Sequence, residues 1–115
     1  MTVMIVDDSS PVRDLLRSML SCAAEITCEC SDGSEALDAY TRFRPDWVVM
    51  DIKMEHVDGF QATQEILSFD PNARIIMITQ FNDPSLEKKA LRAGAVECVR
   101  KESLGRVEEI IRSIP

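Results

Sequence analysis

Three unbroken apolar runs, Val3-Met4-Ile5-Val6, Trp47-Val48-Val49-Met50 and Ile75-Ile76-Met77-Ile78, each stop at a polar residue: Asp7-Asp8, Asp51 and Thr79. Runs this short, without alternation, read as strands buried on both faces. A fourth run, over residues 96–99, alternates and leads to Lys101. Carboxylates at the ends of buried strands are costly unless their charge is compensated, and a hard divalent cation compensates it naturally. The spacing therefore predicts carboxylates, a hydroxyl and an ammonium converging on one edge of a sheet.

Helical periodicity fills the gaps between these runs. Val12, Leu15, Leu16, Met19 and Leu20 fall on one face of a first helix, capped by Ser10 and opened by Pro11. A strand over residues 26–29 follows, then a helix over 34–43 behind the capping-box-like Asp32-x-x-Glu35. Further helices are predicted over 60–67 and 84–93, the second closed by Gly94. The last helix carries Leu104, Val107, Ile110, Ile111 and Ile114 on one side. Five strands alternating with five helices give an α/β three-layer sandwich with a parallel sheet. The alternating strands, 26–29 and 96–99, belong at its edges, which fits the order 2-1-3-4-5. That order places the switch point between the first and third strands, beside Asp7, Asp8 and Asp51, where ligands of such sheets bind.

The whole chain is expected to be one domain, residues 1–115, since 115 residues support a single core but not two. A net charge of −7 excludes direct nucleic-acid binding by this domain, because affinity for phosphate backbones comes from Lys and Arg. No signal-peptide pattern opens the sequence and no apolar run is long enough to span a bilayer. A cytoplasmic protein without membrane contact is the expectation. Cys22, Cys28, Cys30 and Cys98 lack a close-spaced zinc pattern and read as buried or reduced thiols.

Together the strand ends supply the equipment of phosphoryl transfer, in which the protein positions groups and neutralises charge. Asp51 stands alone at the end of the middle strand and is the candidate to take a phosphoryl group as an acyl phosphate. The acid pair Asp7-Asp8 is then free to hold a metal ion, Lys101 to neutralise a phosphoryl oxygen and the Thr79 hydroxyl to hydrogen-bond another. His56, the sole histidine, reads as an exposed loop residue, and Glu108-Glu109 as a solvated helix face.

On these residues the chain resembles a response-regulator receiver domain of bacterial-type two-component signalling, with likeness to receivers of the helix-turn-helix class. The matching segments are Val6-Asp7-Asp8-Ser9, Pro45-Asp46-Trp47-Val48-Val49-Met50-Asp51-Ile52, Val57-Asp58-Gly59, Ile76-Met77-Ile78-Thr79 and Ala93-Gly94-Ala95 followed by Lys101. The resemblance implies a flavodoxin-like fold, of which receivers are a standard example. It implies that Asp51 accepts a phosphoryl group from a histidine kinase or phosphotransfer protein. It further implies Mg²⁺, with Mn²⁺ as an alternative occupant, held by Asp8, Asp51 and the backbone carbonyl of Lys53, with Asp7 acting through water. Such a domain turns over no external substrate but assists its own phosphorylation and dephosphorylation. Phosphorylation would draw Thr79 inward and reshape the face made by the fourth helix, fifth strand and fifth helix, through which an output domain or downstream protein is engaged. The loop Gln80-Phe81-Asn82-Asp83 is the expected moving part, and both a monomer and a homodimer through the last helices, with Leu86 and Ala90 as an apolar patch, are open.

Several positions depart from the family pattern. Cys98 stands where receivers carry a Tyr or Phe that follows the threonine inward, so the signal is expected to leave by another route. Glu102 follows Lys101 where a proline with a cis peptide is common, which puts the placement of the ammonium in question. Glu55 replaces a proline, predicting a looser loop. Gln80 is larger than the small residues usual beside the threonine, and Lys53 and Phe81 flank the site. Hydrolysis slower than in receivers with small residues there is expected, with a decay in seconds or less as the contrary result.

Three other functions compete. A phosphorylation-independent interaction module is favoured by Cys98, Glu55 and Glu102 but opposed by the intact Asp7, Asp8, Asp51, Thr79 and Lys101. A haloacid-dehalogenase-type phosphatase wants a second acid where Lys53 stands, and a cap domain. A flavin carrier needs a Ser/Thr-rich phosphate loop, whereas Asp7-Asp8-Ser9-Ser10 would repel phosphate. The chain reads as a stand-alone receiver or as one cut from a longer regulator.

Overall fold

The structure is a computed structural model that describes residues 1–114. Its elements in chain order are β1 (Thr2–Val6), α1 (Ser10–Leu20), β2 (Glu25–Cys30), α2 (Ala36–Phe43), β3 (Trp47–Asp51), α3 (Gly59–Phe69), β4 (Ile75–Thr79), α4 (Pro84–Arg92), β5 (Glu97–Arg100) and α5 (Gly105–Ser113). The five strands form one parallel sheet in the order β2-β1-β3-β4-β5. The expected topology is the observed one, with the two alternating strands at the edges.

Side-chain alternation along the central strands sorts the core into two layers. Met4, Val6, Val48, Met50, Ile75 and Met77 face α2, α3 and α4, where Tyr40, Phe60, Ile66 and Ala90 meet them. Val3, Ile5, Trp47, Val49, Ile76 and Ile78 face α1 and α5, against Leu16, Leu20, Val107, Ile110 and Ile111. Every residue of β3 and β4 is buried, which is why those runs carry no alternation in sequence. Register then sets the site: Val6 pairs with Met50, so Asp7 and Asp51 leave the sheet on neighbouring strands.

Local details correct several expectations. The cap of α1 is Ser9, whose hydroxyl accepts from the Val12 N–H at 3.4 Å, and Ser10 is already helical. Leu15 is not on the buried face of that helix but is 49% exposed, because the core stripe runs through Leu16 and Leu20. A 3-10 turn, Gly33–Glu35, precedes α2. Asp32 caps it through the Ser34 N–H, but Glu35 reaches back one residue further than a capping box requires, to the Ser31 N–H at 3.1 Å. Ala90 is fully buried, and Leu86 packs against the same core cluster. The exposed apolar residue of α4 is Leu91, so Leu86 and Ala90 form no open dimerisation patch. Gly94, at φ 106, closes α4 where a Cβ would strike the Leu67 side chain.

Candidate functional site

Asp7 and Asp51 are almost wholly buried, whereas Asp8 is exposed at the cavity rim. Carboxylate oxygens of all three lie within 4.8 Å of one another. Asp7 is held from several directions. The Ser9 N–H donates to Asp7 Oδ1 at 2.8 Å, and the Asp7 N–H is tied to the Cys30 carbonyl at 3.0 Å. Arg13 donates to the Asp7 carbonyl at 2.6 Å. Beyond Asp51 the chain turns tightly, with the Gly59 N–H donating to the Ile52 carbonyl at 2.7 Å.

Lys101 enters from β5 and sets its Nζ 2.9 Å from Asp7 Oδ2 and 3.3 Å from Asp51 Oδ1. Among the described residues every peptide bond is trans, and the 3-10 turn Lys101–Ser103 delivers the ammonium with Glu102 in place. The Thr79 hydroxyl is buried and accepts from the Phe81 N–H at 3.1 Å. Asp51, Thr79 and Lys101 share a cavity of ≈ 250 Å³ whose mouth is lined by Lys53, Gln80 and Phe81. The Lys53 ammonium stands over the Phe81 ring, 4.8 Å from its centroid.

Charge explains the titration of the site. Burial first, and then the negative charge of Asp7, push the Asp51 carboxyl up to about 7 against the pull of Lys101. Burial disfavours the Lys101 ammonium, but Asp7 and Asp51 overcome it and hold its pKa above the usual lysine value. Three carboxylates face one ammonium, a set of hard oxygen donors short of positive charge. These residues fit a hard divalent cation.

The remaining candidates fall where their chain positions allow. Cys98 lies half-buried on β5, packed against the core layer that includes α4. Burial and then Glu87 push its thiol up to about 11. His56 is exposed, and its Nδ1 sits 3.8 Å from Asp32 Oδ1, outside the Asp51 cavity. The loop around Glu55 is pinned rather than loose, because Asp32 accepts from the N–H groups of His56 at 2.9 Å and Val57 at 3.2 Å. Cys28 and Cys30 carry free thiols, with Cys30 pushed up to about 12, chiefly by burial.

Sequence reasoning missed Ser9, Arg13 and the second role of Asp32. The Asp-Asp-Ser-Ser-Pro order contained the signal for Ser9, since one residue both follows the acid pair and precedes the helix. Nothing in the sequence ties Asp32 to residues 24 and 25 positions away.

The same fold recurs among known proteins. The family model of the response regulator receiver domain matches residues 3–114. The chain is 46% identical over 93 residues to a chemotaxis protein CheY of Halobacterium salinarum, covering 81% of this chain and 78% of that protein. It is 36% identical over 100 residues to a CheY of Thermotoga maritima, covering 86% and 83%. Among solved structures it is similar to a chain of the CheX–CheY–BeF3–Mg complex from Borrelia burgdorferi, at 32% identity and TM-score 0.91, covering 98% of this chain and 87% of that one. Among the described residues no helix is long and apolar enough to cross a membrane.

Proposed function

We infer, from the geometry of the site and from the response-regulator receiver family of two-component signalling to which this chain belongs, that Asp51 is its phosphoacceptor. The observation that carries the reading is a buried carboxylate on a cavity floor with an ammonium 3.3 Å away and a buried hydroxyl beside it. An Asp51 oxygen attacks the phosphorus of a phosphohistidine, the N–P bond breaks, and its electron pair leaves on the imidazole nitrogen. Lys101 neutralises one phosphoryl oxygen, and the Thr79 hydroxyl donates to another. Asp7, Asp8, Asp51 and the Lys53 carbonyl would hold Mg²⁺ or Mn²⁺, which supplies the charge neutralisation that one ammonium among three carboxylates leaves incomplete.

Residues 1–115 serve as one receiver unit, donors being a histidine kinase or phosphotransfer protein in the cytoplasm. The α4-β5-α5 face is where an output domain or downstream protein engages. The domain acts on its own aspartate and on no external substrate.

Intact mass after incubation with acetyl phosphate and Mg²⁺ tests the reading. One added phosphoryl group, lost in Asp51→Asn and in chelator, is the expected result. No gain from acetyl phosphate or from a phosphorylated histidine kinase would instead favour a phosphorylation-independent interaction module.

A further inference from the structure

Phe81 is held by two tethers, and both end on groups that line the Asp51 cavity. Its backbone N–H donates to the Thr79 hydroxyl at 3.1 Å, and its ring carries the Lys53 ammonium 4.8 Å from the centroid. Thr79 and Lys53 share that cavity with Asp51, while Phe81 is 37% exposed. Two residues on, Asp83 caps α4 through the Ser85 N–H at 2.9 Å. The loop between the two tethers and that cap is short and carries no ladder of its own.

A phosphoryl group on Asp51 places anionic oxygens within the cavity that both tethers face. An oxyanion holds an ammonium by charge-assisted hydrogen bonds, which are stronger than its attraction to an aromatic face. The same group calls on the Thr79 hydroxyl as a donor and draws it away from the Phe81 N–H. Cys98, the β5 residue facing α4, has no ring with which to follow Thr79. Resting on the assignment of Asp51 as acceptor, we propose that Phe81 is the residue through which this chain reports phosphorylation, released when Lys53 and Thr79 turn from its ring and N–H to the phosphoryl group. The freed ring then biases the loop Gln80-Phe81-Asn82-Asp83 and the start of α4 between two arrangements, a population shift driven by one charge.

Fluorine NMR of protein labelled with fluorophenylalanine tests this. The chain has four phenylalanines, and the resonance missing in Phe81→Leu identifies the reporter. Phe43 and Phe69, at the far ends of α2 and α3, serve as internal controls. On adding acetyl phosphate and Mg²⁺, with the phosphoryl count read by intact mass on the same sample, the Phe81 resonance is expected to move while those controls stay. In Lys53→Met it is expected to start displaced toward the phosphorylated position and to lose most of its remaining shift. A Phe81 resonance that stays in place on protein carrying the phosphoryl group overturns the proposal. So does a Lys53→Met protein whose two positions match those of the unsubstituted chain. Absence of any phosphoryl gain, from acetyl phosphate and then from a phosphorylated histidine kinase, defeats the acceptor reading and this inference with it, and the mass separates that failure from the others.

Discussion

The Lys101 ammonium rests on Asp7, its Nζ 2.9 Å from Oδ2, closer than its 3.3 Å approach to Asp51. In the unphosphorylated chain it therefore serves first as the counter-charge of a fully buried acid. Removing it leaves two buried carboxylates without a cation, the situation in which breaking a pair is most destabilising. Lys101→Ala is expected to lower the unfolding free energy by about 2–4 kcal/mol without metal, and by clearly less with Mg²⁺ present. Urea unfolding with chelator and with Mg²⁺ checks both; an equal loss in the two conditions contradicts the charge argument.

Burial and the charge of Asp7 hold the Asp51 carboxyl at about 7, well above an unfolded aspartate near about 3.9. A carboxyl raised on folding contributes stability that is fully present below its unfolded pKa and is lost as pH rises through its folded one. The metal-free protein should thus lose stability between about pH 4 and about pH 7 on account of Asp51. Asp51→Asn should remove that slope and raise the metal-free Tm above neutral pH by roughly 4–8 °C, a relief of ~1–2 kcal/mol. Mg²⁺ should raise the Tm of the unsubstituted chain more at alkaline than at acid pH. Thermal scans of both proteins across that range settle the sign.

Asp32 behaves in the opposite sense. Burial pushes its carboxyl up, but the N–H groups of His56, Ser34 and Val57 outweigh that and hold it well below the usual carboxylate range. Its stability contribution is present above the unfolded pKa and lost as pH falls below about 4. Asp32→Ala orphans these three donors and is expected to cost about 2–3 kcal/mol at neutral pH. Hydrogen exchange should show the loss first at the His56 and Val57 amides, and protection there equal to that of the unsubstituted chain would refute the bracing role.

A Cβ at position 59 would collide with the Asp51 carbonyl oxygen and crowd the Ile52 Cα. The obstacle is backbone, which cannot move aside as a flexible side chain would. Gly59→Ala should therefore destabilise by about 1–3 kcal/mol and displace the acceptor strand end, slowing phosphoryl uptake in the intact-mass assay. Uptake at the unsubstituted rate would show that the strand end had not shifted.

What the sequence disclosed was whatever rests on periodicity. The unbroken runs of β3 and β4 announced burial on both faces, and the alternation of β2 and β5 announced edges. Asp7, Asp51, Thr79 and Lys101 were legible because each closes or follows a strand, and parallel strands deliver their ends to one place. Leu15 was misjudged because helical spacing marks a stripe without saying how wide the covering surface is. The pinned loop at Glu55 was invisible because its anchor, Asp32, lies on another strand's exit and pairs with backbone N–H groups, which carry no residue signature. The Lys53–Phe81 contact was likewise out of reach, since it joins two loops whose approach is set only by the sheet.

Gln80 is exposed and lines the Asp51 cavity together with Phe81 and Lys53. Hydrolysis of an acyl phosphate there requires a water molecule in line with the bond to Asp51, inside the cavity of ≈ 250 Å³ that these residues line. If the long Gln80 side chain restricts that approach, removing it should shorten the lifetime of the acyl phosphate. In Gln80→Gly the decay should then quicken by about 3–10-fold, equivalent to ~1 kcal/mol of barrier. The phosphorylated protein is passed rapidly into chelator to stop rephosphorylation, and the surviving fraction is followed by intact mass. Decay of the unsubstituted chain within seconds, or an unchanged rate in Gln80→Gly, would show that water reaches Asp51 freely and that Gln80 does not govern the lifetime.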